Sequence, residues 1–173
     1  MRCWALASDL INSIDEENRR LAECVLARAR ERGVTLGCAE SCTGGMIAAA
    51  LTAVSGSSDS FVGGIVSYWV DVKERVLGVD AELIEGHGIV SIETAEAMAA
   101  GARNVLACDY AVATTGIAGP TGAEPGKPVG TVCYGIATPN ACTSFTTCVG
   151  DSREEVRARA VTHALEALLE ALS

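Results

Sequence analysis

Eight residues in the first third of the chain carry a high density of reactive side chains. The stretch CAESCTGG, residues 38–45, holds a carboxylate, a serine, a threonine, two cysteines and a pair of glycines. The small apolar residues that follow predict a turn leading into a helix, whose first amides lack partners and carry partial positive charge. Ser41 beside such amides is the layout of a nucleophile next to an oxyanion- or phosphate-binding site, which Gly44 and Gly45 would open to a ligand. Helix capping by Ser41 or Thr43 is the alternative.

A serine nucleophile needs a base, and neither histidine of the chain is an obvious one. His163 is predicted on the last helix in a packing role, and His87 lies in EGHGIVS, which is predicted to be a loop. Without a clear aspartate partner for either, a Ser-His-Asp triad is not supported. The other candidate is SYWVDVK, where burial could lower the pKa of Lys73 from about 10.4 and the Tyr68 phenol could relay a proton. An exposed helix lysine and a core tyrosine are the alternative.

The cysteines suggest neither a disulfide framework nor a zinc site. Eight are scattered through the chain with no CxxC pair, which is typical of reduced thiols in a cytosol. Cys38 and Cys42 lie four residues apart, but the sequence contains no second pair of ligands, so no metal is expected. Cys42 as the nucleophile is a further alternative, although nothing nearby in the sequence would lower its pKa.

Composition and charge narrow the class of protein. The chain has 173 residues, 49% of them hydrophobic, which suits a single domain over residues 1–173 with a sizeable core. A net charge of -9 argues against a nucleic-acid partner but allows a small phosphorylated ligand. No apolar run is long enough for a membrane span, and the N-terminus is not a convincing signal peptide, so we expect a cytoplasmic protein.

Helix and strand patterns alternate along the chain, and one hairpin comes late. Helices are predicted over 15–32, 44–54, 71–78, 92–107 and from 153 onward, and strands over 34–39, 61–70, 109–116, 131–138 and 142–149. Ser91 and the Ser152/Glu155 pair are expected to cap the helices that follow them. This alternation predicts an α/β fold, a three-layer α/β/α sandwich around a mixed, mostly parallel sheet.

Six segments in a fixed order resemble one known family. They are AESCTGG, GGIVSYWVDVKERVLGV, HGIVS, TGIAGPTG, KPVGTV and REEVRARAVTHAL. Together they resemble the CinA C-terminal domain family, whose enzymatic members are nicotinamide-nucleotide amidohydrolases, over roughly residues 16 to 172. The resemblance implies hydrolysis of the carboxamide of nicotinamide mononucleotide (NMN) to nicotinate mononucleotide and ammonia, in pyridine-nucleotide salvage. It implies no redox cofactor or metal, and the stand-alone form rather than the larger one with an additional N-terminal domain.

The resemblance also implies a catalytic group for each step of amide hydrolysis. Ser41 would attack the amide carbon, while Tyr68 and Lys73 would activate it and handle protons. Thr115 would lie at the oxyanion or amide end of the pocket, with Gly116 beside it.

The remaining groups would bind the substrate. Gly44 and Gly45 would supply helix-start amides, and Arg153 would pair with the substrate phosphate, with Arg157 as a weaker candidate.

Two departures from the family pattern bear on the substrate. Family members commonly have a small residue and then an asparagine after the tyrosine, where this chain has Trp69 and Val70, and GDSREE is one residue longer than usual. A nucleotide-binding regulatory domain without turnover, or a serine amidase acting on another small amide, therefore stay open. Small α/β enzymes of this kind often self-associate, and we expect a homodimer.

Overall fold

A computed structural model describes residues 2–173, with side-chain surroundings from Asp9 onward. The strands are β1 Leu36–Glu40, β2 Phe61–Val66, β3 Tyr110–Gly116, β4 Thr131–Ala137 and β5 Cys142–Cys148. The helices are α1 Arg2–Arg32, α2 Met46–Thr52, α3 Val70–Leu77, α4 Ala81–His87, α5 Ile92–Val105 and α6 Arg153–Ala171, with a 3-10 turn at Ser57–Asp59. Within the described residues, no helix combines the length and apolar character needed to span a bilayer.

The five strands form one sheet in the order β2-β1-β3-β4-β5. β1 pairs in parallel with both β2 and β3, whereas β4 runs antiparallel to β3 and to β5. Only β4 is therefore reversed, and the prediction of a mixed sheet is confirmed, with parallel and antiparallel pairings in equal number. The carboxyl ends of β2, β1 and β3 meet at one edge, where open α/β sheets commonly bind ligands.

Helices cover both faces of the sheet, as predicted. α1, α2 and α6 share one apolar core with one sheet face, built around side chains such as Leu26, Ile47 and Leu165. On the other face, Met98 and Ala102 of α5 pack with Leu77 of α3. α5 lies so close to the sheet that a Cβ at Gly135 of β4 would overlap the α5 backbone. Such close approach explains how a core poor in aromatic residues is filled.

Four differences from the predicted element boundaries are the most informative. α1 begins at Arg2 rather than at residue 15, since residues 2–14 contain no proline or glycine to interrupt it. α2 begins at Met46 rather than at residue 44, because Gly44 and Gly45 adopt φ values of 60° and 97°, outside the helical region. β2 ends at Val66 rather than at residue 70, and α4 is a seven-residue helix whose last three residues were predicted to be loop.

The predicted helix caps are confirmed. Ser91 Oγ accepts a hydrogen bond from the Thr94 amide at 3.1 Å, and Ser152 Oγ accepts one from the Glu155 amide at 3.2 Å. The Glu155 carboxylate in turn accepts from the Asp151 amide, one residue before the cap. These bonds fix where α5 and α6 begin, and α6 carries Arg153 and Arg157 toward the carboxyl edge of the sheet.

Candidate active site

Three hydroxyl side chains form a row at the carboxyl ends of the parallel strands. The register pairs Glu40 with Val66 and with Thr114, so the next residues along, Ser41, Ser67 and Thr115, are neighbours. Two residues earlier on each strand, the side chains pack in the apolar cluster beneath α3 and α5: Ala39, Ile65 and Ala113. Because side chains alternate between faces along a strand, the three hydroxyls also belong to that face.

Lys73 joins this row from the first half of α3. Its Nζ donates to Ser41 Oγ at 3.0 Å and also to the backbone carbonyl of Ser67. The side chain is fully buried, so the alternative of an exposed helix lysine is wrong. Burial lowers the pKa of Lys73 to about 8, because an ammonium loses hydration inside the protein. A minority of Lys73 side chains is then neutral at pH 7, and this neutral amine is competent to take a proton from Ser41.

Glu40 is the last residue of β1, directly before Ser41, and its side chain reaches the start of α2. Its buried carboxylate accepts hydrogen bonds from the amides of Gly45, Ile47 and Ala48 at 2.9, 3.1 and 2.9 Å. The Gly45 amide is therefore already bonded within the protein, which differs from the expectation that it would face a ligand.

The turn between Ser41 and Gly45 keeps other amides unpaired. Within the described residues, the amides of Cys42, Thr43 and Gly44 donate to no protein acceptor, while the Ser41 amide continues the sheet by donating to Thr114 O. Unpaired amides beside a nucleophile can stabilise a developing oxyanion.

Arg157 fixes the carbonyl side of the same turn. Its Nε and Nη2 donate to the carbonyls of Cys42 and Thr43 at 3.1 and 2.9 Å. A guanidinium committed to two carbonyls orders the backbone beside Ser41. This contact gives Arg157 a structural role, while its weaker candidacy for phosphate binding stays a prediction.

Tyr68 and Arg153 lie together at the exposed rim of the site. Arg153 Nη2 donates to Tyr68 Oη at 3.4 Å, and Nη1 donates to the carbonyl of Gly119 at 2.9 Å. Tyr68 is 56% exposed, so it is not a core tyrosine, and its hydroxyl bonds to neither Ser41 nor Lys73. Trp69 follows it and is 75% exposed. The structure thus pairs Tyr68 with Arg153, the candidate phosphate-binding residue, rather than with Lys73, the candidate base.

Thr115 and Gly116 lie deeper than the rim. Thr115 is fully buried, and its Oγ1 donates to the carbonyl of Ile89 at 2.9 Å. A Cβ at Gly116 would come within 2.7 Å of the Thr131 carbonyl on β4. The glycine is therefore required by the close pairing of β3 with β4.

The other nucleophile and base candidates lie outside this arrangement. Burial raises the pKa of Cys42 to about 12, so its thiolate is scarce at neutral pH. His87, at the end of α4, pairs with Glu93 at 3.3 Å, and His163 on α6 contacts Glu166 at 2.9 Å. Neither histidine contacts Ser41, in agreement with the expectation of no Ser-His-Asp triad.

Comparison with known protein families shows which family the chain belongs to. The sequence pattern of the family described as CinA C-terminal domain matches residues 18–172, which include every candidate site residue. The chain belongs to the CinA C-terminal domain family.

Curated CinA relatives match most of this chain but are much longer. A CinA-like protein from Synechococcus sp. (strain RCC307) is 46% identical over 86% of this chain and 36% of its own length. A putative competence-damage inducible protein from Thermoanaerobacter sp. (strain X514) is 41% identical over 95% of this chain and 40% of its own length. The chain thus spans about two fifths of the length of these relatives.

Solved CinA structures share the fold. The competence damage-inducible protein A from Klebsiella pneumoniae superimposes with a TM-score of 0.86 at 36% identity, covering 90% of this chain and 96% of that one. The competence/damage inducible protein CihA from Agrobacterium tumefaciens also gives 0.86, at 40% identity, covering 90% and 95%. The α/β sandwich found here is therefore the fold of the CinA superfamily.

Sequence reasoning missed two residues of this CinA site, Glu40 and Ser67, and the backbone contacts of a third, Arg157. Glu40 lay inside the stretch singled out for Ser41, and a carboxylate just before a helix start is itself a signal. Ser67 lay one residue from Tyr68, but its place beside Ser41 depends on the strand register. The role of Arg157 depends on a contact with residues more than 110 positions away, which no local pattern reveals.

Proposed function

We propose that this chain hydrolyses the carboxamide of nicotinamide mononucleotide to nicotinate mononucleotide and ammonia, with Ser41 as nucleophile. The observation that carries the proposal is the 3.0 Å contact between Lys73 Nζ and Ser41 Oγ in a buried setting. A lysine with a lowered pKa beside a serine hydroxyl is a base matched to a nucleophile. The choice of substrate is supported by the resemblance of the six sequence segments to a family whose enzymatic members act on this nucleotide.

The first half of the reaction forms an acyl-enzyme. Ser41 Oγ attacks the amide carbon while neutral Lys73 takes the hydroxyl proton. The unpaired amides of Cys42, Thr43 and Gly44 are the candidate donors for the oxyanion that develops on the amide oxygen. When the C–N bond breaks, the Lys73 ammonium returns its proton to the departing nitrogen, and ammonia leaves.

The second half of the reaction releases the acid. Water attacks the acyl carbon, neutral Lys73 accepts a proton from the water, and Ser41 Oγ leaves with that proton. One amide and one water thus yield one carboxylic acid and one ammonia. In this scheme no metal or redox cofactor takes part, because activated hydroxyl and water perform both displacements.

Arg153 and Tyr68 are proposed to bind the substrate phosphate at the rim. Both are exposed there, and the guanidinium donates to Tyr68 Oη and to the Gly119 carbonyl, which hold it in place. Guanidinium–phosphate hydrogen bonds are charge-assisted and can be bidentate.

We further propose a cytoplasmic homodimer acting in pyridine-nucleotide salvage.

Turnover of NMN by pure protein without added metal tests the function. Ammonia and nicotinate mononucleotide are measured for the native chain, for Ser41→Ala, and for Ser60→Ala, a buried serine just before β2 that serves as matched control. Loss of both products in Ser41→Ala alone supports the proposal. NMN binding without turnover by the native chain contradicts it and indicates a regulatory binding domain. Neither binding nor turnover points to a different small amide.

A further inference from the structure

One buried hydroxyl of the site has no partner. Ser67 is fully buried, and its Oγ forms no hydrogen bond within the part of the chain that the structure describes. A buried hydroxyl left unpaired costs about 1–3 kcal/mol. Such a group in a native fold calls for an explanation, and a catalytic role or an ordered water is among the common ones.

The backbone of Ser67 is held firmly on both sides. Its amide donates to the carbonyl of Glu40 at 2.8 Å, which extends the pairing of β2 with β1 by one residue. Its carbonyl accepts from Lys73 Nζ, the same atom that donates to Ser41 Oγ. The Ser67 backbone is therefore fixed beside the candidate base and one strand away from the candidate nucleophile.

The three hydroxyls of the row, those of Ser41, Ser67 and Thr115, differ in their hydrogen-bond partners. Ser41 Oγ is bonded to Lys73, and Thr115 Oγ1 is committed to the Ile89 carbonyl. Ser67 Oγ, on the same face, is buried and has no hydrogen-bond partner among the described residues. A hydroxyl both donates and accepts, which matches the needs of a water molecule that must be oriented and deprotonated.

We propose that Ser67 is a further catalytic residue, whose hydroxyl holds the water that hydrolyses the acyl-enzyme. The inference rests on the proposed function. Once Ser41 Oγ is part of an ester, it is a weaker hydrogen-bond acceptor and has no proton to give. Lys73 Nζ must then take a proton from the attacking water. Ser67 Oγ accepts one O–H bond of that water while Lys73 removes the other proton. The water oxygen bonds to the acyl carbon, Ser41 Oγ leaves with the proton from Lys73, and Ser67 keeps its own proton throughout.

Kinetics of Ser67→Ala separate this role from a structural one. We expect kcat for NMN to fall about 10- to 100-fold, the size of one lost hydrogen bond at a reacting centre. Because only deacylation slows, KM falls with kcat and kcat/KM stays within about threefold. A burst of about one ammonia per protein and an acyl-enzyme on Ser41, seen by mass spectrometry of the quenched reaction, are the direct signatures.

Two variants serve as controls. Ser67→Thr retains the hydroxyl and is expected to restore most of kcat without a burst. Ser60→Ala removes a buried hydroxyl outside the site and is expected to behave as native. If Ser67→Ala fails to fold, Ser67→Cys keeps a similar volume with only a weak hydrogen-bonding group and gives the same readout.

The outcomes distinguish this inference from the proposed function. Native turnover of NMN, with Ser67→Ala unchanged in kcat or reduced in kcat/KM without acyl-enzyme, overturns the role of Ser67 and leaves the function standing. If the native chain does not act on NMN, the function fails, and p-nitrophenyl acetate tests Ser67 by the same burst. Absence of Ser41 acylation by either compound overturns both proposals.

Discussion

Glu40 and Ser41 are consecutive residues whose side chains serve opposite faces of the sheet. The Glu40 carboxylate binds the amides at the start of α2, whereas Ser41 Oγ contacts Lys73 of α3. The alternation of side chains along β1 produces this division. One residue thus anchors the turn that the next residue needs for its position.

Replacing Glu40 is expected to destabilise the fold. In Glu40→Ala, three buried or half-buried amides lose their acceptor, and the free energy of unfolding falls by about 3 kcal/mol or more. Urea denaturation measures the change. Glu154→Ala, at an exposed acidic position in the first turn of α6, is the control and is expected to change stability by less than about 0.5 kcal/mol. Equal stability of the two variants would contradict the anchoring role.

The activity is expected to rise with pH through the pKa of Lys73. Burial lowers that pKa to about 8, and only the neutral amine can take the Ser41 proton. The kcat/KM for NMN should therefore increase about tenfold per pH unit below 8 and level off above it. A rate profile between pH 6 and 10 measures this. A profile that is flat across pH 7–9 would rule out Lys73 as the base.

Lys73→Met is expected to abolish activity and to stabilise the fold. The lysine pKa is about 10.4 in the unfolded chain and about 8 in the folded one, so between these values the unfolded state binds more protons. Burial of Lys73 therefore opposes folding below pH 8, and the native free energy of unfolding rises as pH increases toward 10. Met removes this cost, which is at most about 3 kcal/mol at pH 7. The native Lys73 hydrogen bonds to Ser41 Oγ and to the Ser67 carbonyl are lost in the variant, which offsets part of this gain in stability.

Denaturation at several pH values checks this sign. The advantage of Lys73→Met over the native chain should be largest at pH 7 and shrink toward pH 10. An advantage that grows with pH would show that the buried amine stabilises the fold.

Arg153→Met is expected to weaken binding of the phosphorylated substrate alone. Loss of a charge-assisted contact should raise KM for NMN about 10- to 100-fold. Nicotinamide riboside has the same carboxamide without the phosphate, so its kcat/KM should change less than about threefold. Parallel kinetics with both compounds make the comparison. An equal loss for the two would place Arg153 in a role unrelated to phosphate.

The predictable part of the fold is the part set by local pattern. Alternating apolar runs and caps such as Ser91 and Ser152 placed most elements within a few residues, since their hydrogen bonds are made nearby. α4 was missed because its short sequence, AELIEGH, contains a glycine and too few turns for a helical period.

The site was predictable where residue type and the family resemblance together carried the signal. Ser41 and Lys73 stood out by their types, and the structure brings them into contact. The resemblance, not the residues alone, selected them over the alternatives. The pairing of Tyr68 with Arg153 joins residues 85 positions apart and depends on how α6 meets the loop after β2.

The short connection between β2 and α3 joins a buried residue to two exposed ones. Ser67 is fastened through its backbone, while Tyr68 and Trp69 beside it extend into solvent. The side chains at positions 68 and 69 can therefore be replaced without moving the backbone of Ser67, which is bonded to Glu40 and Lys73. Directed evolution toward other carboxamides would therefore begin with a combinatorial library at 68 and 69, where most members should remain folded.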